Sequence, residues 1–353
     1  MSTWISRLVN GRLFVAFVGL LLWVVVHDRA FALDDDKLKQ LVNQVAKPIE
    51  FKQKMPVKIA AVYPGFQSSD YWQRSIRSLT GRLEAIELDY HLDVRFSSPS
   101  DGLALQVRQI QSVLSKHPDY LILTINSLQQ QRIVELLLER EKPKIIIQNL
   151  TKPIDDWFAL QPLLYVGFDH MTGALALADY FKDNFPAGTP YGLLFWNKGA
   201  VSDQRGLTFE RAVSGFHDLK ISYFTHASRE VAKQQTLEMV HAYPEIRYIY
   251  VCATDVALGA IDALKEIGRK DIAVNGWGGG QAELTAFAEG DLGVVLMRMN
   301  DQNGVAIAEA IKLDIQKKPV PLVFSGDFSL LHEGTNPEML GRLMSKAFIY
   351  SGY

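Results

Sequence analysis

The sequence contains a single cysteine, Cys252, among its 353 residues. No intrachain disulfide can form, so the fold must be stabilised by its hydrophobic core even in an oxidising compartment. With 48% hydrophobic residues, the chain can bury a core large enough for about two domains. The composition therefore predicts a globular protein that needs no covalent cross-link.

The chain also lacks an excess of either charge. Lys and Arg total 37 and Asp and Glu total 39, which leaves a formal charge of -2. No long basic stretch is present, so binding to nucleic acid or another polyanion is not expected.

The apolar run near the N-terminus, Leu13 to Val26, is short. Its length of about 14 residues is below the roughly 20 that a membrane-spanning helix needs. Arg7 and Arg12 precede the run, and the small-x-small sequence Ala30-Phe31-Ala32 follows it. This pattern predicts a signal peptide over residues 1–32, cleaved after Ala32, and export to the periplasm. An uncleaved membrane anchor is the alternative.

Beyond a charged lead over residues 33–56, apolar strand-like runs alternate with amphipathic helical patterns. The alternation predicts an α/β fold with two Rossmann-like lobes, parallel sheets and a ligand cleft between hinged lobes. A loop with two prolines, Leu150 to Pro162, suggests the first crossing between lobes. The predicted N-terminal lobe comprises residues 57–150 and about 300–321, and the C-terminal lobe comprises residues 151–299 and about 322–353.

Polar or polar-tipped aromatic side chains follow the predicted strands, where open α/β sheets bind their ligands. They occupy residues 67–72, Asn149, Arg205, Thr254, Asp255, Trp277 and Arg298. Each has a structural alternative. Ser69, Asp70, Thr254 and Asp255 could cap helices, Asn149 could brace a turn, and Arg205 could pair with Asp203 or Glu210 on its own helix. Together, two guanidiniums, two indoles, hydroxyls, amides and a carboxylate favour a small polyhydroxylated ligand that carries negative charge.

Eight segments, taken in order, resemble one family. They are VYPGFQSSDYW, QNLTKP, LYVGFDH, SDQRGLTF, CATDVALGAIDAL, NGWGGGQAEL, VLMRMND and KPVPLVFSGDF. From about Val57 to the C-terminus the chain resembles the LuxP-type autoinducer-2 receptors of the type I periplasmic binding protein superfamily. The resemblance implies that the ligand is contacted by nine residues, namely Gln67, Ser69, Trp72, Asn149, Arg205, Thr254, Asp255, Trp277 and Arg298.

The resemblance further implies what this site would bind. The family's ligand is autoinducer-2 as a furanosyl borate diester, and the two arginines would hold the borate. No cofactor is implied, although the ligand itself contains boron. The implied partner is the periplasmic domain of a LuxQ-type hybrid histidine kinase, to which lobe closure would report the quorum state.

Three other functions are alternatives to this one. A ribose-type or galactose-type binding subunit of an ABC importer would have the same fold and a similar cleft. A LacI-type repressor core shares the architecture, but no helix-turn-helix precedes Val57. An enzyme is not expected, because His170, His332 and Cys252 form no catalytic or metal-binding pattern. The GWGGGQ segment departs from a dinucleotide fingerprint at Gln281, so its glycines are predicted to let the backbone approach the ligand.

Overall fold

The computed structural model describes residues 37–65, 67–97, 102–125, 127–158 and 160–352. The predicted signal peptide and its cleavage site lie outside these residues. The strands are β1 (Val57–Tyr63), β2 (Tyr90–Phe96), β3 (Tyr120–Leu123), β4 (Lys144–Gln148), β5 (Leu164–Gly167), β6 (Pro190–Phe195), β7 (Asp218–Phe224), β8 (Tyr248–Val251), β9 (Ala273–Gly278), β10 (Val294–Arg298), β11 (Val323–Ser325) and β12 (Phe328–His332).

The helices alternate with these strands. They are α1 (37–43), α2 (Tyr71–Ala85), α3 (Gly102–Leu114), α4 (Leu128–Leu138), α5 (His170–Asn184), α6 (Ala200–Val213), α7 (Arg229–Ala242), α8 (Thr254–Glu266), α9 (Gln281–Ala288), α10 (Gln302–Ile315) and α11 (Pro337–Ala347). None of the helices among the described residues is both long and apolar enough to cross a bilayer.

The strands form two six-stranded sheets. The first has the order β11-β5-β4-β3-β1-β2 and is parallel throughout, whereas the second has the order β12-β10-β9-β8-β6-β7. In the second sheet only β12 is antiparallel to its neighbour. Central strands such as β3 and β8 are buried along their whole length because helices cover both faces of each sheet. The prediction of two α/β lobes with parallel-dominated sheets is confirmed.

The lobe boundaries differ from those expected from the sequence. The segment after Leu150 does not leave the first lobe, because β5 pairs with β4 through Ile146 and Leu164. The chain first crosses after Gly167, returns between Arg298 and Gln302, and crosses again between Ser325 and Phe328. The two prolines therefore belong to a loop that returns to the same sheet through a short 3-10 turn, Asp155–Trp157. A proline-rich loop signals a break in regular structure and does not by itself signal a change of lobe.

After Arg298 the chain passes between the two lobes in shorter segments than expected. Helix α10 packs in the first lobe, where Ile307 and Ile311 are part of the core. The three-residue strand β11 pairs with β5 and also belongs to the first lobe, although it falls in the range expected for the second. The second lobe then receives β12 and α11.

The N-terminal lead, from residue 37 onward, is part of the first lobe. Leu38 and Val42 of α1 are buried in the same core as α2 and α10. Arg82 donates hydrogen bonds to the backbone carbonyls of Leu41 (2.8 Å) and Gln44 (3.0 Å). These contacts attach the lead to the lobe through both apolar packing and charge-assisted hydrogen bonds.

Candidate ligand-binding cleft

The carboxyl ends of the two sheets face each other across one cavity. The first lobe contributes the loop after β1 and the end of β4, and the second contributes α6 and the ends of β8, β9 and β10. All nine residues predicted from the sequence line this cavity: Gln67, Ser69, Trp72, Asn149, Arg205, Thr254, Asp255, Trp277 and Arg298.

The cleft is closed over the cavity. Trp72 is 4% exposed, Trp277 1%, Arg205 6% and Arg298 5%, although all four line it. Two hydrogen bonds join the lobes beside them. The backbone N–H of Ser68 donates to Asp255 Oδ1 (3.0 Å), and that of Gln281 donates to Asp70 Oδ2 (3.2 Å). A ligand in the cavity would therefore be shielded from water on both sides.

Arg205 is held by neutral groups. Its Nη1 donates to the Cys252 carbonyl (2.8 Å), its Nε donates to His170 Nδ1 (3.3 Å), and its guanidinium lies 4.8 Å from the centre of the Trp277 ring. Burial, together with the nearby charge of Arg298, lowers the pKa of Arg205 to about 9. Among the described residues no carboxylate forms an ion pair with this guanidinium, and the predicted alternative of pairing with Asp203 or Glu210 does not occur.

Arg298, the last residue of β10, is the second buried cation. Its guanidinium lies 4.3 Å from the centre of the Tyr71 ring, a cation–π contact. Its Nε is buried and has no hydrogen-bond partner in the described part of the chain, and burial lowers its pKa. Two guanidiniums thus converge on one cavity, and neither is paired with a carboxylate among the residues that the structure describes.

A buried carboxylate, that of Glu283, holds the backbone of the loop after β9 on the side away from the cavity. Glu283 accepts hydrogen bonds from the backbone N–H groups of Trp277 (2.9 Å) and Gly279 (2.7 Å). Desolvation raises the pKa of Glu283, while these N–H groups oppose the rise. Gly278 has a φ of 141°, and a Cβ there would lie 2.5 Å from Arg298 Nη2. This glycine therefore leaves room for Arg298, whereas the sequence had suggested room for the ligand itself.

Several polar atoms of lining residues are buried without a hydrogen-bond partner among the described residues. They are Asn149 Oδ1, Trp196 Nε1, Trp277 Nε1 and Arg298 Nε. Asn149 has a left-handed backbone (φ 73°), which asparagine tolerates better than most residues. Buried polar groups are almost always satisfied, so these atoms offer hydrogen bonds to a bound molecule.

The helix-capping alternatives are not supported. Asp70 precedes α2 but makes no side-chain hydrogen bond to its N-terminus, and the N-cap position before α8 is occupied by Ala253, with no side-chain cap. Thr254 and Asp255 instead line the cavity.

Five further residues line the site beside the nine predicted contacts, namely Pro64, Tyr71, Trp196, Val201 and Ala253. Tyr71 lies within the range 67–72 predicted to face the cleft, and Trp196 could have been identified because it follows a strand. Tyr71 accepts hydrogen bonds from Gln148 Nε2 (3.1 Å) and Asn303 Nδ2 (2.7 Å), which leaves its own O–H free to donate.

His170 was also missed, because its partner Arg205 is distant in sequence and only the tertiary structure brings the two together.

Cys252 is buried, and desolvation raises the pKa of its thiol to about 12. No group of side chains able to hold a metal ion occurs within the described ranges.

Residues 59–319 match the family described as Periplasmic binding protein domain, which is most of the chain. The chain belongs to this family. Its description agrees with the periplasm as the compartment. The fold expected from the resemblance to type I periplasmic binding proteins is thereby confirmed, although the match does not distinguish autoinducer-2 receptors from other members.

Solved structures of ABC transporter solute binding proteins share the fold. One from Agrobacterium vitis with bound D-fucose has a TM-score of 0.72 and 16% identity, covering 80% of this chain and 98% of its own. One from Actinobacillus succinogenes with bound D-allose has a TM-score of 0.71 and 19% identity, covering 81% and 99%. A third, from Agrobacterium radiobacter in complex with D-arabinose, has a TM-score of 0.70 and 14% identity, covering 82% and 99%.

Proposed function

We propose that this periplasmic binding protein captures autoinducer-2 as a furanosyl borate diester, without catalysis and without a cofactor. The observation that supports this ligand is the pair of buried guanidiniums, Arg205 and Arg298, neither of which has an ion-paired carboxylate among the described residues. Burying two unpaired cations is costly, and an anionic ligand offsets that cost through charge-assisted hydrogen bonds. Glu283 and Asp70 stabilise the charged form of Arg298, but neither forms an ion pair with it.

The rest of the cavity suits a ring with several hydroxyl groups. The indoles of Trp72 and Trp277 line the cavity and add apolar surface for such a ring, and the Tyr71 hydroxyl can donate a hydrogen bond. Thr254, Asp255 and Asn149 add donors and acceptors. This combination of directional polar groups and aromatic faces is what recognition of a sugar-like molecule requires.

We further propose that the closed protein signals to the periplasmic domain of a LuxQ-type hybrid histidine kinase. This partner rests on the sequence resemblance alone. A signal requires that the ligand bind the closed arrangement better than an open one.

The second candidate is a sugar-binding subunit of an ABC importer. The family match and the sugar-bound solute binding proteins support this function more directly than they support a quorum-sensing receptor. A neutral pentose or hexose would use the same indoles and hydroxyls, with the arginines donating to ring oxygens.

The charge of the ligand separates the two functions. We expect Arg205→Met and Arg298→Met each to weaken binding of borate-supplemented autoinducer-2 by about tenfold or more, since each removes a charge-assisted hydrogen bond and roughly 1.4 kcal/mol is a factor of ten. Isothermal titration with and without borate measures both the loss and its dependence on borate. Arg342→Met, at an exposed position of α11, is the matched control. Equal wild-type affinity with and without borate, together with tight binding of D-ribose, would favour the importer subunit.

A further inference from the structure

The segment over residues 67–72, which carries Ser69 and Trp72 into the cavity at the start of α2, also joins the two lobes. Asp70 lies between these lining residues and reaches across the cleft, where its Oδ2 accepts the backbone N–H of Gln281 (3.2 Å). Gln281 is the first residue of α9, which belongs to the second lobe. The carboxylate is therefore placed at the N-terminus of a helix in the opposite lobe.

Helix α9 has no cap of its own. The residue before it is Gly280, and no side chain of its own segment bonds to its first N–H groups. Asp70, in turn, occupies the capping position of α2 but makes no side-chain cap there. A carboxylate at a helix N-terminus satisfies an otherwise free N–H and interacts favourably with the helix dipole. Asp70 thus caps the helix of the other lobe in place of its own.

The carboxylate of Asp70 is oriented by Arg74. The Arg74 Nε lies 2.6 Å from Asp70 Oδ2, and Arg74 is itself buried. Arg74 also donates to the Gly352 carbonyl and to Ser351 Oγ (3.1 Å), both in the segment after α11. The cap is therefore held in position by an ion pair within the first lobe, and its carboxylate also stabilises the charged form of Arg298.

Gly280 leaves the space that this contact needs. A Cβ at this position would overlap Asp70 Oδ1. Its backbone angles, φ -78° and ψ 176°, are ones that alanine adopts without strain. Substitution by alanine would therefore disturb the contact between lobes while leaving the local backbone unstrained.

We propose that Asp70 sets the affinity of the cleft without touching the ligand, by capping α9 across the cleft and stabilising the closed arrangement. The proposal rests on the proposed function only in that a small ligand occupies the cavity. The apparent affinity of a ligand for a closed state is reduced by the fraction of molecules that are not closed. Loss of the cap should consequently weaken binding of every ligand by the same factor.

The test uses Gly280→Ala, Asp70→Ala and the double variant, titrated with borate-supplemented autoinducer-2 and with D-ribose. Each single variant should bind about fivefold more weakly, roughly the effect of losing one helix cap. The double variant should be no weaker than Asp70→Ala, because the added methyl group no longer meets a carboxylate. Gln281→Ala is the matched control, since it keeps the backbone N–H and changes only an exposed side chain.

Unchanged affinity in Gly280→Ala would overturn the proposal, as would losses in this variant, which keeps every charge, that differ between two ligands that both bind. If the wild type binds D-ribose and not autoinducer-2, the proposed ligand is wrong, but the D-ribose titrations still test Asp70. If the wild type binds neither ligand, hydrogen exchange of the Gln281 amide in the ligand-free protein tests whether Asp70 caps α9. Slower exchange in the wild type than in Asp70→Ala supports the cap, and equal exchange contradicts it.

Discussion

At the scale of single residues, the positive charge that the cavity offers to a ligand depends on whether the groups that contact its arginines are themselves charged. Arg205 is oriented by the His170 ring, the Cys252 carbonyl and the Trp277 face, all of which are uncharged. Burial and the two nearby arginines lower the pKa of His170, which keeps the ring neutral. The positive charge of Arg205 therefore remains available to a ligand. The sequence predicted the arginine from its position after a strand, but the neutrality of its support depends on tertiary contacts.

We expect His170→Asp to weaken binding of the borate ester by at least about tenfold, because a carboxylate beside two guanidiniums stays ionised and pairs with Arg205. His170→Asn has nearly the same shape as the aspartate variant but keeps a neutral acceptor, so it should retain most of the affinity. Isothermal titration with and without borate compares the two. Equal losses in both variants would mean that the imidazole shape, and not its charge, matters to the site.

At the scale of secondary-structure elements, the β9–α9 connection shows how far sequence patterns reach. The strand and Trp277 at its end follow from hydrophobic pattern and position. The role of Glu283 does not, since a glutamate in the first turn of a helix is ordinarily exposed. Here it is fully buried and accepts two backbone N–H groups of the preceding loop. These hydrogen bonds hold the loop against Glu283, which positions Trp277 at the cavity and leaves space for Arg298.

Glu283→Gln should lower the free energy of unfolding by about 1.5 to 3 kcal/mol, because the amide leaves one of the two buried N–H groups without an acceptor. Ligand binding should weaken as well, since Trp277 is less firmly positioned. Urea denaturation measures the stability of the ligand-free protein. Glu289→Gln, an exposed position just after the same helix, is the control and should change stability by less than about 0.5 kcal/mol. A Glu283→Gln variant as stable as the wild type would contradict this role.

At the scale of the whole molecule, alternating strands and helices predicted two lobes, and nine residues from separate segments meet in one cavity between them. The crossings were harder to predict. β5 has four residues and β11 three, so their hydrophobic patterns cannot show which sheet they join. Assignment to a lobe depends on hydrogen-bond partners distant in sequence, such as Tyr165 with Val323. Local patterns identify such strands, whereas their pairing is a property of the assembled fold.

The whole molecule must also be exported if it is to meet its ligand in the periplasm. We expect the protein from the periplasmic fraction of a Gram-negative host to begin at Leu33, as measured by its intact mass. Cleavage there keeps α1, whose Leu38 and Val42 are buried in the first lobe. Replacing Ala30 and Ala32 by leucine should block processing, because both positions of the cleavage pattern require small residues, whereas Phe31→Leu should be processed normally. A wild-type protein that stays uncleaved in the membrane fraction would instead favour the anchor alternative.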